Sequence, residues 1–320
     1  MPLVTVLMPV YNAEKFLGEA IDSILNQTFS DFEFLIVDDA STDSSLSIIN
    51  SYNDHRIKLV CNEENMGISA TLNKGIALSS TELIARMDAD DISYPERLQK
   101  QYAYFIEHPD CALLSCWTRI IKEDKQPFHT EEFRSRYYYY NMTFDCWMYH
   151  PTVMYKRTAV LNAGGYQSPY AEDFDLFWHM MRKYKVDNLE QVLLDYRITS
   201  QSLHQVTKKA EYDHALDQQV IRNIKYYAGD DFYISYEEVQ CLRYDFEPIL
   251  RLNSLAAIVR VFKKLEIISL GILNTPNLNL DPSGVQEAWY YKRCYMKVHL
   301  LKRFGFLKKL MLRSLLIFFR

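Results

Sequence analysis

Asp88-Ala89-Asp90 places two carboxylates at i and i+2, a spacing that at a strand end or in a tight turn lets both converge on one divalent cation. Ligands that are all oxygen select a hard ion, Mn2+ or Mg2+, which keeps positions open for the phosphates of a nucleotide. Aspartates in such a setting also cap turns, and Asp91, just before Ile92-Ser93-Tyr94-Pro95, is placed for that. A second cluster, Asp38-Asp39-Ala40-Ser41-Thr42-Asp43, offers a carboxylate from Asp38 or Asp39 to the imide N–H of a uracil or another base donor, while Ser41, Thr42 or Asp43 caps the following helix. A third, Glu172-Asp173, opens a helical stretch, where the macrodipole favours acids.

Short apolar runs alternating with amphipathic stretches must position these groups. Strands are predicted at residues 4–10, 32–37, 57–61 and 83–87, and helices at 13–26, 44–52 and 69–78; in the first helix Leu17, Ala20, Ile21, Ile24 and Leu25 share one face. The strands are apolar throughout, as in a parallel sheet covered on both faces. Their C-terminal ends carry Tyr11-Asn12, Asp38-Asp39, Asn62 and Asp88-Ala89-Asp90-Asp91, where open α/β sheets bind ligands. Carboxylates at two of these ends are costly unless a cation or a hydrogen-bond donor meets them. Pro95 suits the first turn of a helix reaching about residue 107, followed by a strand at 112–121. Residues 122–150, rich in Tyr, Phe and Trp, read as a variable surface segment, and 172–185 as a helix. Beyond about 205 the pattern is helical, with breaks at Gly229-Asp230-Asp231 and at 274–284.

The 320 residues, 48% hydrophobic and 24% charged, can bury a core in one or two domains, which excludes a disordered chain, a collagen and a small disulfide scaffold. A net charge of −5 argues against a nucleic-acid partner. Six cysteines without a CxxC pair read as reduced thiols, with no zinc site expected. The opening Met-Pro-Leu-Val-Thr lacks a basic n-region and a cleavage site, and no apolar stretch is long enough to span a membrane, so a cytoplasmic chain is expected.

Six motifs in order, Pro9-Val10-Tyr11-Asn12, Val37 to Asp43, Asn65-Met66-Gly67, Asn73-Lys74-Gly75, Met87-Asp88-Ala89-Asp90-Asp91 and Ala171-Glu172-Asp173-Phe174-Asp175-Leu176, resemble the family 2 glycosyltransferases of the GT-A fold. The resemblance covers about residues 1–204. It implies an α/β domain of GT-A type with a mostly parallel central sheet, followed by a helical C-terminal region, and an inverting transfer from a nucleotide sugar, usually a UDP-sugar. On this chain it puts Pro9, Tyr11, Asp38 and Asp39 at the nucleoside, with Asn65, Gly67 and Asn73 also on the donor. Asp88 and Asp90 would hold the ribose, sugar and Mn2+ or Mg2+, Asp90 directly. Asp173 would be the general base, with Glu172 beside it in the catalytic pair. His150 would touch donor or acceptor, and Arg197, in a closing Tyr-Arg segment with Ser202, would meet phosphate. Thr199 stands where many members carry a metal-assisting His, and His204 is out of register with it. Two other readings remain open: a sugar-phosphate nucleotidyltransferase, against which Tyr11-Asn12 replaces a Gly-rich phosphate loop, and a non-catalytic nucleotide-sugar binding module.

Charge is divided unevenly along the chain. After Glu287 there are nine Lys and Arg and no acid, a charge of +9, which leaves −14 on the preceding 287 residues. From Leu300, apolar residues at Phe304, Leu307, Met311, Leu315 and Phe318 form one helical face opposite Lys302, Lys309, Arg313 and Arg320. The expected organisation is a catalytic domain at 1–204, a helical subdomain at 205–287 and a basic amphipathic tail at 288–320. Residues 297–320 are expected to meet an anionic membrane surface at the inner face of the cell membrane, the acceptor being a glycan or a lipid-linked sugar. The alternative is a tail packed on the helical subdomain.

Overall fold

The computed structural model describes residues 2–199 and 209–315, apart from the side chains of 306–308. It divides into two compact units, Met1–Ser135 with Trp147–Tyr212, and Arg136–Cys146 with Asp213–Arg320.

The first unit opens with the expected alternation: β1 (Val4–Val10), α1 (Leu17–Leu25), β2 (Phe32–Asp38), α2 (Ser45–Asn50), β3 (Ile57–Cys61), α3 (Ile68–Leu78) and β4 (Leu83–Arg86). These four strands lie side by side in the order β3-β2-β1-β4, all parallel, with Val4 opposite Phe32 on one flank and Leu83 on the other. β1 and β2 are buried along their whole length, and Val6, Met8, Phe34 and Ile36 pack with Leu17, Ile21 and Ile24 of α1. Each such buried side chain contributes roughly 1.5–3 kcal/mol. α1 starts four residues later than its periodicity suggests. Ala13 N–H donates to Ser45 Oγ and Glu14 N–H to Asp43 Oδ2, so the intervening turn is tied to the loop after β2.

The sheet continues as β5 (Ile92–Ser93), β6 (Cys111–Lys122), β7 (Pro127–Glu131), β8 (Met154–Lys156) and β9 (Lys185–Ile198), between which lie α4 (Arg97–Glu107), α5 (Tyr138–Asn141), α6 (Arg157–Ala163) and α7 (Glu172–Lys183). The full order is β3-β2-β1-β4-β8-β6-β9-β5, with β7 on β6. β8 is antiparallel to both β4 and β6, so the far half of the sheet is mixed. The fourteen-residue β9 has no apolar run to announce it. Its Asp195 is held instead by Arg119 (2.6 and 2.8 Å) and by the Tyr94 hydroxyl (2.8 Å).

The second unit contains α8 (Lys209–Ala228) beyond its first turn, α9 (Tyr236–Leu242), α10 (Glu247–Arg251), α11 (Leu255–Asn274), α12 (Pro282–Lys302) and α13 (Phe306–Leu315). It also takes in residues 136–146, which the sequence places in the first domain as a surface segment. Tyr138, Tyr139, Tyr140 and Phe144 are buried there, with Tyr140 Oη 3.0 Å from Ser269 Oγ. The boundary expected after residue 287 falls inside α12, which Asp281 caps through Ser283 N–H and Pro282 starts. The expected continuous face from Leu300 is divided, because α12 ends at Lys302 and the chain turns through Gly305 before α13. Among the described residues, no helix is long and apolar enough to cross a membrane.

A Cβ added at Gly271 of α11 would stand 2.3 Å from the Tyr227 carbonyl oxygen of α8, a backbone atom with no rotamer to yield. Gly271→Ala should therefore lower unfolding stability by about 1–3 kcal/mol in a urea titration, with an unchanged m-value.

Candidate active site

β1, β2 and β3 step one way across the sheet, and β4 returns to the other flank of β1. The order reverses between β1 and β4, and beyond the carboxyl ends of such strands a crevice opens for ligands. Pro9, in a central strand, fits this reversal. Leu7 O accepts from Met87 N–H, so Pro9, two residues on, faces the flank where pairing with β4 has ended and lacks no ladder bond. Tyr11 follows, 51% exposed at the mouth. Asn12 takes a left-handed conformation (φ 48°), and its Oδ1 accepts from Thr42 N–H (2.8 Å), joining the loops after β1 and β2.

Asp38 and Asp39 are both buried but do different things. Asp39 accepts from Asn62 Nδ2 (2.6 Å), Met66 N–H (2.9 Å) and Gly67 N–H (2.9 Å), and so shapes the loop that enters α3. Gly67 has φ +82°, which a side chain rarely adopts, while Asn65 beside it is exposed. Asp38 Oδ2 accepts from Ser41 N–H (3.1 Å), whereas its buried Oδ1 has no partner, so Asp38 is the carboxylate with an acceptor to offer. Asn73 points elsewhere: its Nδ2 donates to Tyr166 O (2.8 Å) and its Oδ1 accepts from Tyr166 N–H (2.9 Å), clipping that loop to α3.

Asp88, Asp90 and Asp91 bring carboxylate oxygens within 4.8 Å of one another just past β4, the one cluster of possible metal ligands among the described residues. Burial, then Asp88, pushes the Asp90 carboxyl up to about 7, and burial, Asp90 and Asp88 raise Asp91 well above the usual aspartate range. Asp91 Oδ1 accepts from Arg197 N–H (2.7 Å), and its buried Oδ2 has no partner. Three like charges, an orphaned buried oxygen and a donor set of oxygen alone fit a hard divalent cation, which Asp88 and Asp90 would hold with Asp91 behind them.

Two arginines frame this turn. Arg86, buried in β4, pairs with Asp88, and this outweighs burial and holds the guanidinium charged. Arg86 escapes a search for acidic motifs, although a cation two residues before the first carboxylate, in an otherwise apolar strand, is a usable signal. Arg197 was expected to meet phosphate. It is buried instead, its Nε donating to Asp90 O (2.8 Å), Nη1 to Glu123 O (2.9 Å) and Nη2 to Glu19 Oε2 (2.7 Å), with Phe16 under the guanidinium. With each nitrogen engaged, it knots the aspartate turn to α1. Thr199 is buried nearby in sequence, and Ser202 and His204 lie outside the described residues.

Glu172 and Asp173 form the first turn of α7, after Ala171 in a left-handed conformation. Burial, then the Glu172 charge, pushes Asp173 up to about 6, while the hydrogen bond from Phe174 N–H (2.7 Å) and the Arg86 charge pull it back. Glu172 is raised chiefly by burial. His150 is buried with Nε2 2.7 Å from Tyr166 Oη and Nδ1 3.6 Å from Glu172 Oε1. Burial, with Arg86 adding, lowers its pKa to about 3, so it is a neutral imidazole that holds the Tyr166 hydroxyl and lies beside Glu172. Tyr212 donates to Glu172 Oε2 (3.4 Å) and stacks edge-on with Tyr170. Tyr166 ends the Gly164-Gly165-Tyr166 segment, which resembles one found between the two acidic motifs in bacterial members, whereas Tyr212 carries no pattern in the sequence that marks it. Arg86 acts on Asp90, Glu172 and Asp173 alike, and Asp88 is felt at Glu172 and His150, so the two acidic motifs share one electrostatic site.

Comparison with known proteins agrees with this geometry. Glycosyl transferase family 2 matches residues 5–163. An uncharacterised glycosyltransferase of Methanocaldococcus jannaschii is 33% identical over 72% of this chain and 84% of its own length. The chain belongs to glycosyl transferase family 2. Another member of the family, the O-antigen biosynthesis glycosyltransferase WbnJ of Escherichia coli, is 32% identical over 63% of this chain and 82% of its own. The GT-A fold is shared with S. aureus TarS, solved with UDP-GlcNAc (TM-score 0.57, 18% identity, 94% of this chain and 91% of that one). It is shared too with the mannosyltransferase PcManGT of Pyrobaculum calidifontis, solved with GDP-Man and Mn2+ (TM-score 0.54, 19% identity, 92% and 83%).

In this glycosyltransferase, Arg197 as a knot and Arg197 as a phosphate ligand make different predictions. Arg197→Ala should lower unfolding stability by about 2–4 kcal/mol in a denaturant titration, since it opens a cavity and strands two backbone carbonyls. Unchanged stability together with lost nucleotide binding would return Arg197 to the phosphate role.

Proposed function

We propose that the chain moves a hexosyl group from a nucleoside diphosphate sugar, with UDP as the nucleotide, to a hydroxyl of a glycan or lipid-linked acceptor, with inversion at the anomeric carbon. The observation that carries this reading is the shared charge site, in which the Asp88–Asp91 turn and the Glu172-Asp173 pair answer to the same buried Arg86. Support comes from neighbours of the same fold solved with UDP-GlcNAc and with GDP-Man and Mn2+. The setting we infer is synthesis of a bacterial surface polysaccharide or glycolipid at the inner face of the cell membrane, in line with the O-antigen relative.

Tyr11 and the free oxygen of Asp38 would receive the base, with Asp39, Asn65 and Gly67 shaping that wall. Mn2+ or Mg2+, held by Asp88 and Asp90, would neutralise charge on the departing diphosphate. Asp173 accepts the proton of the acceptor hydroxyl as its oxygen forms the new bond to the anomeric carbon and the bond to the diphosphate oxygen breaks, taking its electron pair with it. A carboxyl near 6 suits this task, because it is ionised at neutral pH yet basic enough to take the proton. Burial, and after it the charge of Glu172, which accepts from Tyr212, keep Asp173 from falling to the ordinary aspartate range.

Asp173→Asn should reduce kcat by about 10²–10⁴-fold while UDP binding with Mn2+ stays intact. Loss of both, or of neither, contradicts the assignment. The base works only when ionised, so kcat/KM should fall as pH drops through about 6 and be flat above it. His150 is neutral throughout that window, so His150→Gln should leave the midpoint of this limb within half a unit or so. A midpoint that vanishes in this variant would assign the limb to His150.

A further inference from the structure

We propose that the exposed sides of α12 and α13 dock this protein on an anionic lipid bilayer. The inference deepens the reading above, in which the acceptor is met at a membrane, by naming the surface and the lipid chemistry it fits.

α12 has two unlike sides. Val285, Ala288, Lys292, Met296 and Leu300 are buried along one of them. On the other, Tyr291, Tyr295 and Val298 recur at i, i+4 and i+7, all exposed, with Lys302 continuing the row and Tyr290 beside it. α13 repeats the arrangement. Among its described side chains Leu312 is the buried one, whereas Met311 and Leu315, one turn apart, are 58% and 43% exposed. The sequence left two outcomes for this apolar stripe, packing on the helical subdomain or facing outward. Among the described side chains Leu300 packs inward and Met311 and Leu315 face out, while Leu307 and Phe318 lie outside them.

The charges on these helices narrow the partner. Lys292 is buried between the Phe144 and Tyr244 rings, and Arg303 pairs with Glu247, so neither is on offer. Arg293, Lys297, Lys302, Lys309 and Arg313 have no acidic partner among the described residues, and no acid follows Glu287 in the sequence. A symmetric dimer formed through this face would set these five cations against five more. A nucleic acid would satisfy the cations and leave Val298, Met311 and Leu315 in water. A bilayer with anionic headgroups satisfies both, with cations at the phosphates, aliphatic side chains at the acyl boundary and tyrosines at the interface where amphipathic rings concentrate.

The test is co-sedimentation of the full chain with vesicles of phosphatidylcholine alone and of phosphatidylcholine mixed with phosphatidylglycerol, at low and high salt. The expected result is binding to the mixed vesicles only, weakened by salt. Lys297→Glu with Lys302→Glu and Lys309→Glu should reduce the partition coefficient by about a hundredfold or more, at about a factor of five to ten per lost cation. Met311→Ser with Leu315→Ser should reduce it too, with the circular dichroism spectrum unchanged because both side chains are exposed. Equal binding to both lipids, no binding, or undiminished binding of either variant would overturn the proposal. So would a dimer in light scattering that these substitutions dissociate, or retention of RNA in preference to the mixed vesicles. UDP-sugar hydrolysis with Mn2+ in the absence of vesicles separates the two readings: hydrolysis without vesicle binding overturns docking alone, and vesicle binding without hydrolysis upholds docking and contradicts the transferase.

Discussion

A buried guanidinium, Arg86, stands among more carboxylates than it can neutralise. Asp88 is its ion-pair partner, and Asp90, Asp91, Glu172 and Asp173 all feel its charge or that of Asp88. Two unit charges at the 4.8 Å limit of the aspartate cluster repel by about 3.5 kcal/mol at an effective dielectric of 20. The acids respond by taking up protons more readily, and a divalent cation would relieve the same excess. The fold is arranged around this imbalance. β4 delivers Arg86 and the aspartate turn, α7 delivers Glu172 and Asp173 at its positive end, and Arg197 locks the turn to α1.

Positioning of the acidic pair runs through hydrogen bonds from neighbouring helices. Arg97 and Gln101 of α4 donate to the carbonyls of Pro151 and Thr152, which fixes the segment that carries His150. Asn73 of α3 clips Tyr166, whose hydroxyl meets His150, and His150 in turn faces Glu172. The segments beside the base thus rest on hydrogen bonds from two helices, α3 and α4.

Much of this could be read from the residues. Continuous apolar runs ending in Asn or Asp marked β1, β2 and β4, and the order of the acidic motifs gave the family and the strand ends that bear the site. What escaped had a physical reason. β9 carries Asp195 and Arg197, whose burial is compensated by partners distant in sequence, so no local period reports it. Arg197 and Asn73 were assigned to the donor by position in a motif, but their hydrogen-bonding atoms are taken up by the protein itself. The tyrosines at 138–140 suggested a variable surface, yet they bury against helices more than eighty residues later, as Tyr140 does at Ser269. The charge division along the chain held one further surprise, since Lys292 is a core residue between two aromatic rings and no part of a basic surface.

The central claim is that the aspartate turn after β4 is completed by a divalent cation and a nucleoside diphosphate together. Calorimetric titration of UDP into the full chain, with Mn2+ and then with EDTA, addresses it most directly. The account predicts that UDP binds with Mn2+ present and that EDTA abolishes binding, because a dianionic or trianionic ligand cannot enter a site already rich in carboxylates. Equal affinity in EDTA would contradict it.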